Sequence, residues 1–286
     1  LNPGMEARQR QRLGGTVSVP VRWCSLEALA SQPVNGVLLA HELLDALPVE
    51  RLTWREGELH QMGVMLQGSG DSAAPCLVWR DQPCPDWLGE QLAWVQQRCN
   101  LELPPQGAAD GWCSEWHSEL PSWFEAAAKA VDQGVLLIVD YALEAHRYYS
   151  ARRSDGTLLA YQQQRASGDL LADAGRADLT AHLCLETLLA FATEQGWKPL
   201  GHCRQGEALL SLGLAERLHQ LQQLPPSELS KALQRRAALL RLVDPAALGE
   251  FRWIALQREQ ATADASSTPA NASPFTSRFL QDPVSN

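Results

Sequence analysis

Gly36 to Val49, GVLLAHELLDALPV, breaks abruptly from apolar to acidic. Val37 to Ala40 are short, apolar and partly β-branched, the pattern of a strand covered on both faces, and His41, Glu42 and Asp45 follow at once. Pro48 ends the helical turn that this pattern predicts after the strand. A second run, GVLLIVDYALEAHRYY from Gly134 to Tyr149, repeats the arrangement with Asp140 and Tyr141 at the strand end. Ligands of open α/β sheets bind at the carboxyl ends of strands, so the two runs predict acids delivered to one sheet edge.

Upstream, residues 2–13 follow a helical pattern rich in Arg and Gln that stops at Gly14-Gly15, and VSVPVRW reads as the extended entry to a strand. Downstream, ERLTWREGELHQMGVML alternates polar and apolar residues around Arg55-Glu56-Gly57-Glu58, which predicts a hairpin. Residues 68–112 are rich in Gly, Pro, Asp and Trp, with one helix expected near Trp87 to Arg98. About 95 residues separate the two apolar runs, against roughly 30 in one βαβ unit, so 51–110 is expected to be an insertion. It would divide a partial core at 1–50 from the second half of that core at 111–260. Trp123 to Val131 reads as a helix feeding the Gly134 strand. Leu179 to Gln195 reads as another, with Asp178 as N-cap and Gly196 past its end. Helical patterns recur at Glu207 to Gln223 and Ser227 to Leu242, and Phe251 to Leu256, FRWIAL, reads as a last strand. The expected fold is α/β: a parallel sheet flanked by helices, with the Gly36 and Gly134 runs as neighbouring central strands and FRWIAL as a strand of the same sheet. The tail at 261–286 is polar and of low complexity, and is expected to stay disordered.

Composition narrows the class. With 286 residues, 45% of them hydrophobic, and 10 Trp, the chain has ample material for a core. A formal charge of −9 argues against a nucleic-acid surface. No apolar stretch reaches the roughly 18 to 20 residues that span a bilayer, and the polar N-terminus lacks a signal-peptide core, so a cytoplasmic protein without membrane insertion is expected. Seven cysteines without C-x-x-C spacing fit reduced thiols. Cys113 and His117 stand four apart but have no third ligand, so no metal site is expected. No G-x-S-x-G elbow of a hydrolase occurs.

Five ordered blocks carry a family resemblance: GVLLAHELLDALPV, CSEWHSELPSWFEAAAKAVDQGVLLIVDYAL, DGTLLAYQQQR, AGRADLTAHL and QGEALLSLGLAERL. Together they resemble the MidA family, the S-adenosylmethionine-dependent methyltransferases related to the mitochondrial complex I assembly arginine methyltransferase, over nearly all of Asn2 to about Arg258. The resemblance implies a class I methyltransferase-like, Rossmann-like sheet, S-adenosylmethionine as cofactor, and a subunit of a complex I-like dehydrogenase as protein substrate. The matched positions are Glu42, Asp45, Ala46, Pro48, Val49, Glu115, Asp140, Tyr141, Gly156, Thr157, Leu158, Asp178, Thr180, Ala181 and His182. Four places depart from the family pattern: His41 for Asn, Ala142 for Gly, Gln164 for His, and Cys184-Leu185 for Asp-Phe. The glycine-rich cofactor turn and the ribose-binding acid are also absent, which implies a chain that begins after them.

The chemistry follows from what the acceptor needs. A guanidinium has a pKa above 12 and shares its charge among three nitrogens, so it attacks poorly until carboxylates orient it and localise that charge. Glu42 and Glu115 are the candidates for this clamp, with Asp140 or His182 taking the proton. Asp45, Tyr141, Asp178 and Thr180 are substrate-side candidates; Trp23, Ser25, Leu26 and His41 are cofactor-side candidates. Each residue also has an ordinary reading: Glu42 as a helix N-terminal acid, Glu115 as a solvated loop charge, Asp178 as a cap, His182 as a core histidine, Trp23 as a core aromatic and Ser25 as a helix cap. A non-catalytic assembly or binding protein on the same fold is the alternative function, and the four departures favour it.

Overall fold

The computed structural model describes residues 3–68, 75–163, 165–172, 174–259 and 278–280. Helix α1 (Pro3–Leu13) ends at the Gly14-Gly15 stop, and Ser25 caps the single turn α2 (Leu26–Leu29) by accepting from the Ala28 amide at 3.2 Å. Strand β1 (Val34–His41) precedes β2 (Glu50–Arg55), β3 (Glu58–Gln67), β4 (Cys76–Pro83), α3 (Asp86–Cys99) and β5 (Cys113–Trp116). Helix α4 (Leu120–Ala130) feeds β6 (Val131–Asp140), followed by β7 (Ala142–Leu143), α5 (Ala145–Tyr148), β8 (Leu159–Gln162), β9 (Arg165–Ser167), β10 (Asp178–Thr180) and β11 (Leu183–Cys184). The chain closes with α6 (Leu185–Glu194), β12 (Lys198–Arg204), α7 (Gln205–Ser211), α8 (Leu214–Gln222), α9 (Leu229–Val243) and β13 (Arg252–Arg258).

The main sheet has the order β1-β6-β13-β12. As the apolar runs predict, β1 and β6 are parallel neighbours, with Gly36 opposite Gly134, but among the described residues β1 stands at the edge of the sheet rather than at its centre. A Cβ on Gly134 would overlap the Gly36 carbonyl, so the two backbones meet there only because Gly134 has no side chain. FRWIAL lies in the same sheet, but β13 is antiparallel to both β6 and β12, so the sheet is mixed rather than parallel. Helices α7 to α9 cause this. They leave β12 and return beside its end, where the Gln205 amide donates to the Phe251 carbonyl at 2.7 Å, so β13 must run back.

One face of the sheet is covered. Phe124 and Ala127 of α4 and Leu188, Phe191 and Ala192 of α6 pack with Leu136, Ile138, Ile254 and Leu256, and Trp112, Trp116 and Trp197 extend the same core. On the opposite side Val37 and Leu39 of β1 are 62% and 60% exposed, so β1 is not covered on both faces as its apolar run suggests. Farther along that side, Phe279 is buried against Ala208 and Ala255. Disorder throughout the tail is therefore corrected at 278–280; the rest of the tail lies outside the described residues, as does Gln164.

The hairpin expected after Val49 is β2–β3, turned by Glu56 and Gly57 at φ 51° and 86°, the left-handed pair that a two-residue loop requires. A second sheet of order β4-β3-β2-β5 grows from it and reaches Trp116, beyond the boundary at 110. Three local readings change. VSVPVRW forms no strand. The pattern from Glu207 to Gln223 is two helices, broken at Gly213 with φ 93°. The pattern from Leu179 to Gln195 is helical only from Leu185, because tertiary hydrogen bonds hold the start extended: the Ala181 amide donates to the Asp45 carbonyl at 2.9 Å and the Leu183 amide to the Tyr141 carbonyl at 2.8 Å. Asp178 is consequently a strand residue opposite Tyr161, not a helix cap.

Candidate active site

The loop after β1 is wound around one carboxylate. Asp140 Oδ2 accepts from the amides of Leu43, Leu44 and Asp45 at 3.3, 3.0 and 3.3 Å, and Oδ1 accepts from the Tyr141 amide at 2.8 Å. Glu42 makes this convergence possible: its left-handed φ of 45° turns the chain while its own amide donates to the Val139 carbonyl at 2.9 Å. Burial pushes the Asp140 carboxyl upward, and the four amides pull it back only in part. Three donors thus share Oδ2 and one meets Oδ1. The sequence reading casts Asp140 as a proton acceptor; its observed occupation is to hold the loop that carries Glu42 and Asp45.

Asp45 is the acid so presented. Its side chain is buried, and burial, followed by the charges of Asp140 and Glu42, raises it from 3.8 to about 6. Glu42 is half-exposed, with Oε1 3.6 Å from His41 Nδ1. Three carboxylates therefore converge at the carboxyl ends of β1 and β6, where the sequence pattern places them.

An aromatic wall flanks these acids. The Tyr141 ring lies 4.1 Å from Phe251 and stacks on His182 at 5.4 Å, and His41 stacks on Phe251 at 6.4 Å. Burial, with Glu42, Tyr161, Asp45 and Asp140 nearby, raises the Tyr141 hydroxyl, keeping it a proton donor near neutrality. His182 is pushed down to about 4 by burial and then by Arg153, and its Nδ1 has no partner among the described residues. A neutral imidazole this reluctant to take a proton is a weak general base.

Glu115 departs furthest from expectation. It lies on β5 opposite Arg51 of β2 and is fully buried, so it is neither a solvated loop charge nor an open clamp. Its Oε2 accepts from the Thr157 amide and hydroxyl at 2.7 and 3.0 Å, while Thr157 Oγ1 accepts from the His182 amide at 3.0 Å. Burial raises the Glu115 carboxyl, partly offset by Thr157 and Arg51. It supports the His182 segment from behind. Sequence reasoning missed Phe251, whose only signal is its place at the head of the last strand, and gave no role to Thr157, although DGTL was among the matched blocks.

The remaining candidates divide. Thr180 pairs with Leu159 and Asp178 with Tyr161 in the small sheet β10-β8-β9, whose Tyr161 is among the groups acting on the Tyr141 hydroxyl. Trp23 Nε1 donates to Gln9 at 2.8 Å and its ring lies under Arg10 at 4.2 Å. The Ser25 hydroxyl caps α2, and Leu26 packs against the main core. The polar groups of the cofactor-side candidates are thus committed within the chain, and His41 is engaged by Glu42 and Phe251. Taken alone, Trp23, Ser25, Leu26 and His41 do not form an S-adenosylmethionine cradle; Glu42, Asp45, Asp140 and the rings beside them form an acidic, aromatic-walled pocket. Neither are three or more His, Cys, Asp and Glu side chains gathered to hold a metal among the described residues, and no described helix is long and apolar enough to cross a membrane.

Comparison with known proteins bears on this geometry. A crystal structure from Burkholderia thailandensis, described as a "likely methyl transferase" bound to S-adenosyl-homocysteine, is 26% identical with a TM-score of 0.74, covering 90% of this chain and 62% of its own. A native crystal structure of an uncharacterized protein of the same superfamily from that organism is 27% identical with a TM-score of 0.73, covering 88% and 63%. The chain therefore spans just under two thirds of either structure. No protein with a curated description matches it. Residues 1–203, well over half of the chain, match the family described as "Putative S-adenosyl-L-methionine-dependent methyltransferase", and the chain belongs to that family.

Proposed function

We propose that this protein is an S-adenosylmethionine-dependent protein methyltransferase of the MidA type, which methylates an arginine on a subunit of a complex I-like dehydrogenase in the cytoplasm. The observation that carries the reading is the convergence of Glu42, Asp45 and Asp140 beside the Tyr141 ring at the carboxyl ends of two parallel strands. The family membership and the bound S-adenosyl-homocysteine of the Burkholderia thailandensis structure support a methyl donor of this class.

In this reading Glu42 and Asp45 hold the guanidinium, and a bound cation favours the ionised form of Asp45. The Tyr141, Phe251 and His182 rings wall the pocket beside these acids. Asp140 positions both acids through the loop amides, and Glu115 positions the His182 segment through Thr157. Asp45, which in this reading touches the guanidinium, and not the half-buried His182 held down to about 4, receives the proton that the methylated nitrogen loses.

The test uses protein expressed from the complete gene, with matched cofactor titration and single-turnover methylation of an arginine-containing protein substrate. Glu42→Gln is expected to lower methyl transfer by about 10²-fold, the scale of one lost transition-state contact, with cofactor affinity unchanged. Parallel loss of cofactor binding and activity would assign these acids to the cofactor pocket instead. A non-catalytic assembly role is the second reading, favoured by the internal commitments of Trp23 and Ser25; absence of methyl transfer in wild type decides for it.

A further inference from the structure

A cleft of about 440 Å3 opens on the loop between α5 and β8, lined by Arg147, Arg152, Arg153 and Asp155 with Ser150 and Gly156. Three guanidiniums in one cleft are conspicuous in a chain of net charge −9. They are poorly neutralised. Arg152 makes no side-chain hydrogen bond or ion pair among the described residues. Arg147 reaches Glu144 at 3.5 Å, but Glu144 is also held by Arg252. Only Asp155 adds an acid to the lining.

The loop that presents these arginines is pinned. The Cys113 amide donates to the Ser154 carbonyl at 2.7 Å, Trp112 Nε1 to the Ser150 carbonyl at 3.1 Å, and Arg153 Nε to the Arg147 carbonyl at 3.2 Å. Gly156, at φ 72°, sits against the Glu115 carboxylate with no room for a Cβ. Clustered guanidiniums repel one another unless an anion joins them, and a fixed fork of donors matches a carboxylate in shape and charge. A preorganised loop removes much of the ordering cost of binding.

The cleft also lies one contact chain away from the acid pocket. Thr157 follows Gly156, its hydroxyl holds the His182 amide, and the His182 ring stacks on Tyr141. Gly156 of the basic cleft is therefore linked to the acidic pocket through Thr157, His182 and Tyr141.

We propose that this cleft binds an Asp or Glu side chain of the polypeptide substrate, close in sequence to the cationic residue that enters the acid pocket. The word substrate rests on the function proposed above; the anion site rests on the cleft. Opposite charges in adjoining sites would fix the direction in which a peptide lies.

The experiment is calorimetric titration of the full chain at low salt with two arginine-free peptides that differ only by Glu→Gln, and with inorganic phosphate. Wild type, Arg152→Gln and the double variant Arg147→Gln/Arg152→Gln are compared, with thermal melting to verify that each is folded. The Glu peptide is expected to bind at least about tenfold more tightly than the Gln peptide. That preference should shrink in Arg152→Gln, vanish in the double variant and weaken as salt rises. Equal binding of the two peptides, or an undiminished preference in the double variant, overturns the proposal. Phosphate binding without a peptide preference overturns it too, by assigning the cleft to a free small anion. Because the peptides lack arginine, their Glu-over-Gln preference does not depend on guanidinium capture, so failure of the arginine-methylation reading registers only in the methylation assay.

Discussion

Asp45→Asn is expected to make this protein more stable near neutral pH, the reverse of the usual result for a carboxylate. The folded chain buries Asp45 beside Asp140 and Glu42 and raises it from 3.8 to about 6. Between those values the folded state binds the proton more tightly than the unfolded one, so stability falls as pH rises through the window and levels off above about 6. At 1.36 kcal/mol for each pH unit, the difference corresponds to about 3 kcal/mol. Asparagine keeps the shape and removes the charge. Urea unfolding of both proteins at pH 4, 5, 6 and 7 measures the contrast. The stability of Asp45→Asn relative to wild type should increase steadily, by up to about 3 kcal/mol at pH 7. A gap that is flat with pH, or a variant less stable at pH 7, would refute the reasoning and mean that a partner already neutralises the ionised acid. A bound guanidinium reverses the sign: an arginine-containing peptide should bind wild type more tightly as pH rises through about 6, and Asp45→Asn should lack that dependence.

Asp140→Ala should destabilise by about 3 kcal/mol or more, since four amides lose a shared acceptor; lost activity at unchanged melting temperature would return Asp140 to a catalytic role. Gly156→Ala combines a left-handed backbone with overlap on the Glu115 carboxylate and should cost about 2 kcal/mol or more, measured by urea unfolding. The 286-residue chain taken alone should bind S-adenosylmethionine weakly by calorimetry, because the polar groups of Trp23 and Ser25 are already engaged; tight stoichiometric binding would place the cofactor site elsewhere in the chain.

The features that local chemistry controls were legible in the chain itself. The two apolar runs that break into acids determined β1, β6 and the carboxyl-end location of Glu42, Asp45, Asp140 and Tyr141, because a strand long enough to cross the core must meet solvent at its end. Alternation around Glu56-Gly57 determined the hairpin. The roles of the acids were not legible. Nothing local distinguishes Asp140, saturated by amides from a loop 95 to 97 positions earlier, from Asp45, which its neighbours leave reluctant to ionise. Glu115 reads as a surface charge until β5 pairs with β2 and Thr157 closes over it. Leu179 to His182 carries a helical pattern that distant hydrogen bonds from Ala181 and Leu183 hold extended. Periodicity records which face of an element is apolar; which partner satisfies a buried donor or charge is settled only when segments far apart in the chain come into contact.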